Sequence, residues 1–496
     1  DVSLSGKSIL LRNASLVCKD TANTTPHYDV KIPDILFSLQ SIKNLVFAGK
    51  LSVDSVSISL PQIKIHEHSD QKMKQAAFHA SAIFDALQKL KSQLEIRSFS
   101  IHKASFDFGS RHNRVPFKSD RISLFVKNFS KNNDPQKSFL SSDDIDLSIL
   151  NQHWKLPDGL HEVTFTNLHF SGKNQFFEID TCTLTGINKQ GSTYFVSAQK
   201  LFFNSSQLTN FYSREELILD TLLLQKPDIY IETVEAGKHK EDSVETIAGS
   251  FRQMFNLVNF KYIDIVDGNI EVVKKNTRQQ VFTSEGTNLE IYNFLLNKDS
   301  ADINIDLISL KQKNLNLVTK DSLYELNIEE FAIEKNAVYL RNASYRPTEK
   351  NHNTKIFTFR SPLLKLNNVN FEDLLSKRLN ATDAELYEPQ IFFKVEKKRR
   401  NNAGGGSKKQ SQDKFYNTLN ALSELVFVKN FRIINGNLKY QSTGASEASM
   451  QMQNINALVL PEQLFSSDSL VDVKGALPAV AIGSTSFTAP KASFKV

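Results

Sequence analysis

Apolar and polar residues alternate over five to ten positions through most of this chain. The runs "VTFTNLHF" (163–170), "FEIDTCTL" (177–184), "INIDLISL" (303–310), "YELNIEEFAIE" (324–334) and "TFRSPLLKLNN" (358–368) all show it. A period of two with one apolar face predicts strands shielded on one side. Short polar connections such as "GKN", "NKQGS" and "DGN" predict antiparallel meanders. The period changes at three places, to i, i+4, i+7: Ile83, Leu87 and Leu90; Ile247, Phe251 and Met254; Phe415, Leu419 and Leu422. Each trio shares one face of a helix, so three amphipathic helices are expected among about two dozen strands.

The three helices belong to a repeat. "LSVDSVSISLPQIKI" (51–65), "LILDTLLLQKPDIYI" (217–231) and "LNATDAELYEPQIFF" (379–393) share one pattern around Pro61, Pro227 and Pro389. After each helix come "FSIHKASFDF" (99–108), "IDIVDGNIEV" (263–272) and "FRIINGNLKY" (431–440), with Ala104, Gly268 and Gly436 equivalent. "SGK" at 5–7 returns at 171–173, and "LLRNAS" at 10–15 returns as "YLRNAS" at 339–344. The expected fold is therefore mainly β: an extended, curved antiparallel sheet, a groove or taco-like solenoid, with one helix per unit. Its three β-groove repeats span residues 1–164, 165–328 and 329–496. Each proline lacks a ladder donor and marks an edge or a bulge, and the Gly of "DGN" or "NGN" fits a turn or bulge. Loops are expected at 66–72, 234–243 and 396–413, the last a flexible one.

Composition adds little that is sharp. The net charge of +6 arises from 60 basic and 54 acidic residues spread along 496 positions, which is not the concentrated basic face of a nucleic-acid binder. Cys18 and Cys182 occupy equivalent places in neighbouring repeats, too far apart for a disulfide, and are expected to act as small apolar core residues. No apolar run reaches the roughly 18 residues of a membrane-spanning helix. The chain opens at Asp1 and stops at Val496 inside strand-like segments, as expected of a piece of a longer protein.

Catalytic and metal-binding patterns do not emerge. "GKS" at 6–8 and "GGGSKK" at 404–409 lack the spacing of a phosphate loop. His66-Glu67-His68 has no third ligand at a recognisable spacing and reads as a solvated loop. Lys397, Lys398, Arg399 and Arg400, with Lys408 and Lys409, could touch anionic headgroups but read first as a solvated linker. No cofactor is implied, and no enzyme activity is expected.

The Asp-bearing strand, the Pro-x-Ile strand, the helix and the post-helix strand with Ala or Gly together resemble the AsmA-like family of bacterial envelope proteins. The versions they resemble are those rich in Lys, Asn and Phe, of Bacteroidetes type. Asp54 and Asp220 hold the family's acidic position, and Thr382 replaces it in the third repeat. The resemblance implies a periplasmic body tethered to the inner membrane by an anchor outside this chain, with a role in outer-membrane biogenesis. It also implies an architecture like that of bridge-like lipid transfer proteins.

An apolar sheet face must be buried against something, and three helices cannot cover two dozen strands. Part of the face is expected to line a groove that shields or conducts phospholipid acyl chains, at about 0.8 kcal/mol per buried CH₂. On the proline strands the candidate lining residues are Ile63, Ile65, Ile229, Ile231, Ile391 and Phe393. On the post-helix strands they are Phe106, Phe108, Ile270, Val272, Leu438 and Tyr440. The alternative is a periplasmic scaffold that assists outer-membrane or envelope assembly proteins, with the apolar face sealed.

Overall fold

A computed structural model of the protein describes residues 2–18, 27–41, 53–67, 97–110, 117–127, 145–155, 160–187, 191–207, 216–234, 256–297, 303–319, 321–369, 379–397, 426–444, 447–461 and 479–488. Strands make up 84% of them, in a mixed sheet, so the protein is mainly β. The chain opens with β1 (Val2–Ser5), β2 (Ser8–Cys18) and β3 (His27–Leu39). A broken strand follows as β4 (Val53–Ser59) and β5 (Gln62–Glu67), and then β6 (Ser98–Ser110). Next come β7 (Phe117–Lys127), β8 (Ile145–Lys155), β9 (His161–Ser171), β10 (Phe176–Ile187) and β11 (Thr193–Asn204). The broken strand returns as β12 (Glu216–Leu219), β13 (Thr221–Gln225) and β14 (Asp228–Thr233), followed by β15 (Leu257–Lys274). Then come β16 (Gln280–Asn297), β17 (Ile303–Asn304), β18 (Leu307–Val318), β19 (Tyr324–Glu334), β20 (Ala337–Pro347) and β21 (Lys355–Asn367). The last set is β22 (Leu379–Tyr387), β23 (Gln390–Lys397), β24 (Val426–Gly444), β25 (Ala448–Val459) and β26 (Ala479–Thr488). By contacts the chain divides into two compact units, Asp1–Val266 with Tyr292–Ile303, and Asp267–Ile291 with Asn304–Val496.

The sheet is not purely antiparallel, contrary to the sequence expectation. β4 and β5 pair in parallel with β6, β12 and β13 with β15, and β22 and β23 with β24. A parallel neighbour requires a connection of a dozen or more residues. The segments 68–96, 235–255 and 398–425 supply it, and the predicted helices fall in them, outside the described residues. Two smaller expectations also change. His66 and Glu67 end β5 and Glu396 and Lys397 end β23, so these residues are strand rather than loop; "DGN" at 267–269 lies inside β15 rather than in a turn.

The three broken strands share one local construction. Leu60, Lys226 and Glu388 each adopt a left-handed conformation, with φ of 54°, 46° and 44°, and each precedes a buried proline. Their N–H groups donate to the carbonyls of His102, Val266 and Ile434, each at 2.8 Å. Proline follows at a point where no donor is needed, and the carbonyls of Pro61 and Pro389 accept from Ser105 and Asn437 at 2.8 and 2.7 Å. The parallel partner kinks in the same place. Lys103, Asp267 and Asn435 have φ of 52°, 57° and 55°, and each is followed by a small residue. The reason is crowding: a Cβ on Gly436 would stand 2.8 Å from Ile433 Cγ2 and 3.2 Å from Pro389 Cγ.

Similar bulges sit in the middle of other strands, at Asn13, Arg121, Asn151, Thr181, Asn314, Asn342 and Asn454, among others. Asn tolerates positive φ better than most side chains. The repeated "RNAS" segments thus place Asn13 and Asn342 at bulges. At Asn13 the register does not slip, since Arg12 faces Asp34 and Ala14 faces Ile32, so both strands turn together and the apolar side changes parity: Ile9 and Leu11 hand over to Ala14 and Leu16 along β2. Bulges of this kind bend a strand and increase its twist.

Candidate functional site

Registers between strands show that apolar residues of successive strands stand opposite one another in continuous files. In the first unit Leu11 pairs with Ile35, then Ile58, Ile101 and Leu124. The file continues through Leu147, Phe170, Phe177, Phe203, Leu222 and Ile263. Eleven strands joined at ~4.8 Å spacing make an unbroken apolar band of about 48 Å. Phe170, Phe177 and Phe203 stack along it, with ring centroids 4.4 and 4.8 Å apart. The second unit repeats the arrangement: Leu310, Ile333, Val338, Leu366, Ala384, Phe431 and Val459 are successive partners.

The proline strands and post-helix strands add to this face on the far side of the bulges. Ile63 and Ile65 pair with Phe106 and Phe108, and Ile391 and Phe393 pair with Leu438 and Tyr440. Ile229 and Ile231 pair with Val196 and Tyr194. Ile270 and Val272 lie on the part of β15 that belongs to the second unit, so no pairing with Ile229 or Ile231 is described. Aromatic rings connect the rows here too. Phe106, Phe117, Trp154 and Phe165 follow one another at 6.4, 5.3 and 4.7 Å, and Tyr345, Phe357 and Phe393 at 5.9 and 4.9 Å.

Closed and half-buried positions alternate on both sides of the bulges. Val126, Ile145, Phe170 and Val338 are 1–2% exposed on one side, and Phe165 and Ile328 are 3% exposed on the other, while Leu11, Ile35, Ile58 and Leu124 are half-buried. All twelve residues named from the sequence are half-buried, none sealed and none fully exposed. A half-buried apolar residue touches its neighbours in the sheet while one flank stays accessible, which leaves apolar area for another molecule to cover.

Buried polar side chains interrupt the apolar side, among them Ser119 opposite Phe106, Ser361 opposite Ala343, and Gln152. Gln152 pairs in register with Phe165 and is 5% exposed. Its Oε1 accepts from Ser119 Oγ at 3.0 Å, the Asp120 N–H at 3.2 Å and Trp154 Nε1 at 3.0 Å. Its Nε2 donates to the carbonyls of Asp120 at 2.5 Å and Leu150 at 2.8 Å. The amide therefore fills the hydrogen-bonding gap left where β7 bulges at Arg121 and β8 at Asn151. Nothing in the sequence distinguishes this glutamine from a surface one.

The opposite face is charged and wet. Cross-strand ion pairs line it, among them Lys200–Glu178 at 2.9 Å, Lys311–Glu334 at 3.3 Å and Arg341–Glu330 at 2.5 Å. Such exposed pairs contribute about 0–1 kcal/mol each, so they mark the solvent side more than they stabilise it. A cavity of about 640 Å³ in the second unit is lined by Arg346, Arg360, Phe392 and Lys439, and by the candidate residues Ile391 and Leu438, among others. The acidic positions singled out in the sequence act as clips between the broken strand and its crossover partner. Asp54 meets Arg97 at 3.3 Å and Asp220 meets Lys261 at 2.5 Å. Partial burial opposes the charge on Asp220, yet hydrogen bonds from Lys261 and Ser206 hold its carboxyl below the ordinary carboxylate value.

Among the described residues no group of three or more His, Cys, Asp or Glu is placed to hold a metal ion. His68 lies outside the described residues. Cys182 is half-buried opposite Ala198, and burial pushes its thiol above the ordinary value. The Cys18 side chain lies outside the described residues. What the site offers is apolar area in ordered files, backed by a polar face. No family model and no curated protein matches the chain.

Proposed function

We propose that this chain is a non-enzymatic, three-unit β-groove protein that shields phospholipid acyl chains. It would act as the AsmA-like family it resembles is expected to act, between the two membranes of a bacterial envelope. The observation that carries the reading is the set of continuous apolar files, in which many residues, the twelve named from the sequence among them, are only half-buried. Such a surface holds hydrocarbon through the hydrophobic effect, at about 0.8 kcal/mol per buried CH₂, and needs no catalytic group. Files of interchangeable Leu, Ile, Val and Phe offer no single strong contact, so a chain can slide along them. The three broken strands, with their shared bulge, proline and small-residue partner, support the three-unit organisation 1–164, 165–328 and 329–496, curved into a trough. The membrane anchor and the crossover helices belong to the same proposal.

The fully buried rows around Val126, Phe170 and Val338 favour, for that strip, the sealed scaffold that would serve envelope assembly proteins. Lipid content separates the two readings. Native mass spectrometry with lipid extraction on gently purified protein is expected to find bound phospholipid, and Ile229→Asp with Ile231→Asp is expected to remove it while the protein stays folded. Because Trp154 is the only tryptophan and stands in the aromatic row, phospholipids brominated on their acyl chains should quench its fluorescence. A lipid-free protein whose tryptophan is indifferent to brominated chains would move the scaffold reading to first place.

A further inference from the structure

The cavity of about 640 Å³ in the second unit has the size of a small-molecule site, and its charge is of one sign. Arg346, Arg360 and Lys439 line it, and among the described residues no carboxylate does. Arg360 of β21 faces Gln390 of β23, which faces Asn437 of β24. One row along, Thr358 faces Phe392, Phe392 faces Lys439, and Lys439 faces Gln451 of β25. Positions two apart on a strand share a face, so both rows present their polar groups to the same side. Ile391 and Leu438 alternate with these rows and complete the lining. Among the described residues Arg346 pairs with Glu325 of the neighbouring strand, whereas Arg360 and Lys439 have no acidic partner.

The first repeat shows that the fold does not require this charge. Pro61 and Ala104 correspond to Pro389 and Gly436, so Gln62 corresponds to Gln390, Ser105 to Asn437 and Asp107 to Lys439. There Lys31 faces Gln62, and Gln62 faces Ser105. In the next row Asp29, Lys64, Asp107 and Lys118 follow one another across the strands. The signs alternate, and Lys118 meets Asp107 at 3.7 Å. The third repeat has Thr358, Phe392, Lys439 and Gln451 at these positions. Both acids are gone, and a cation stands in place of Asp107. Through the shared "RNAS" segment, Arg346 likewise stands where the first repeat has Val17.

We propose that this cavity binds a phosphate group, carried either as the free ion or as the headgroup of a phospholipid. Arg360 and Lys439 are its direct partners. The guanidinium offers two parallel N–H donors to phosphate oxygens, and the ammonium adds a compact positive charge. Gln390 beside Arg360 and Gln451 beside Lys439 supply amide donors. The Phe392 ring, 5.8 Å from Lys439 Nζ, holds the ammonium on this side of the sheet. Cations lining one cleft concentrate anions in it, and Arg346 extends that field. The site rests on its own charge and not on the apolar files, so it and the lipid reading can fail separately.

The test is calorimetric titration of the whole chain with inorganic phosphate, at an ionic strength held constant with chloride. Phosphate is expected to bind, and Arg360→Gln with Lys439→Gln is expected to weaken it about tenfold per charge removed. Both residues are exposed, so the variant should stay folded, which circular dichroism checks. The matched control is Lys64→Gln with Lys118→Gln, which removes the same charge from the equivalent rows of the first repeat and should leave phosphate binding unchanged. Co-sedimentation with phosphatidylcholine vesicles, with and without phosphatidic acid, separates the two sources. Capture that needs phosphatidic acid and is lost in Arg360→Gln with Lys439→Gln assigns the site to a headgroup. Phosphate binding without such capture assigns it to the free ion. Absence of both, or equal losses in the two double variants, would overturn the proposal. Quenching of Trp154 by brominated acyl chains reads the apolar files independently, so its survival in the Arg360→Gln with Lys439→Gln variant would keep the lipid reading whatever becomes of this one.

Discussion

Replacing Gln152 with leucine tests whether the bulges are as costly to leave unsatisfied as their geometry implies. Gln152 sits on the apolar side, where a leucine of similar size would look natural. An amide can complete about four hydrogen bonds, and each contributes about 1 kcal/mol net. The contacts to Ser119, Asp120, Leu150 and Trp154 use that capacity fully. Leucine would return roughly 2 kcal/mol of apolar burial. The expected net loss is therefore about 2 kcal/mol, the difference between these two terms. Trp154, the only tryptophan, donates directly to this amide, so its fluorescence follows the unfolding of this region in urea. The Gln152→Leu variant should unfold at lower urea, and the Asp120 amide should exchange its hydrogen about 30-fold faster, since 1.4 kcal/mol is tenfold. An unchanged or raised midpoint would refute the reasoning, because it would mean that the bulge is satisfied without the amide.

Two further outcomes are expected. Gly436→Ala should destabilise the second unit by about 1–3 kcal/mol through overpacking, seen as a lower urea midpoint, because the new Cβ meets Ile433 and Pro389 at 2.8 and 3.2 Å; circular dichroism with Ala104→Gly as the reverse control reads this, and a stabilised Gly436→Ala would contradict the crowding. Burial, aided by neighbouring Tyr324 and Asp321, pushes the Tyr345 phenol from 10.0 up to about 12. The unfolded chain loses this proton near pH 10 while the folded one keeps it, so the contribution is intact below pH 10 and is lost as pH rises towards 12. Absorbance titration of tyrosinate should show a late component that Tyr345→Phe removes; an identical curve for the variant would show that Tyr345 titrates normally.

The strands were legible in the sequence because alternation is a local property: one shielded face imposes period two wherever it occurs. The broken strand was legible as well. Pro61, Pro227 and Pro389 recur because a bulge leaves one position without a donor, and at Gly436 a small residue is required because a Cβ would meet Ile433 and Pro389. Ile63, Phe106, Ile391 and Leu438 were each named as lining residues from motif equivalence, and the register sets Ile63 beside Phe106 and Ile391 beside Leu438.

The parallel pairings, the bulge at each mid-strand Asn and the role of Gln152 were not legible. Asn13 and Asn342 looked like ordinary polar residues because their backbone conformation, not their side chain, does the bending. Gln152 gains its importance only from the two neighbouring bulges it satisfies, at Arg121 and Asn151, thirty positions apart in the chain.

Sequence by itself thus determined which residues are apolar on each strand and how often the pattern returns, since both follow from short-range spacing. Only the tertiary structure decided which strand lies beside which, and therefore that Leu11 and Ile263 belong to one continuous file. Hydrogen-bond pairing between distant strands is specified by the sum of many weak contacts, and no single position carries it.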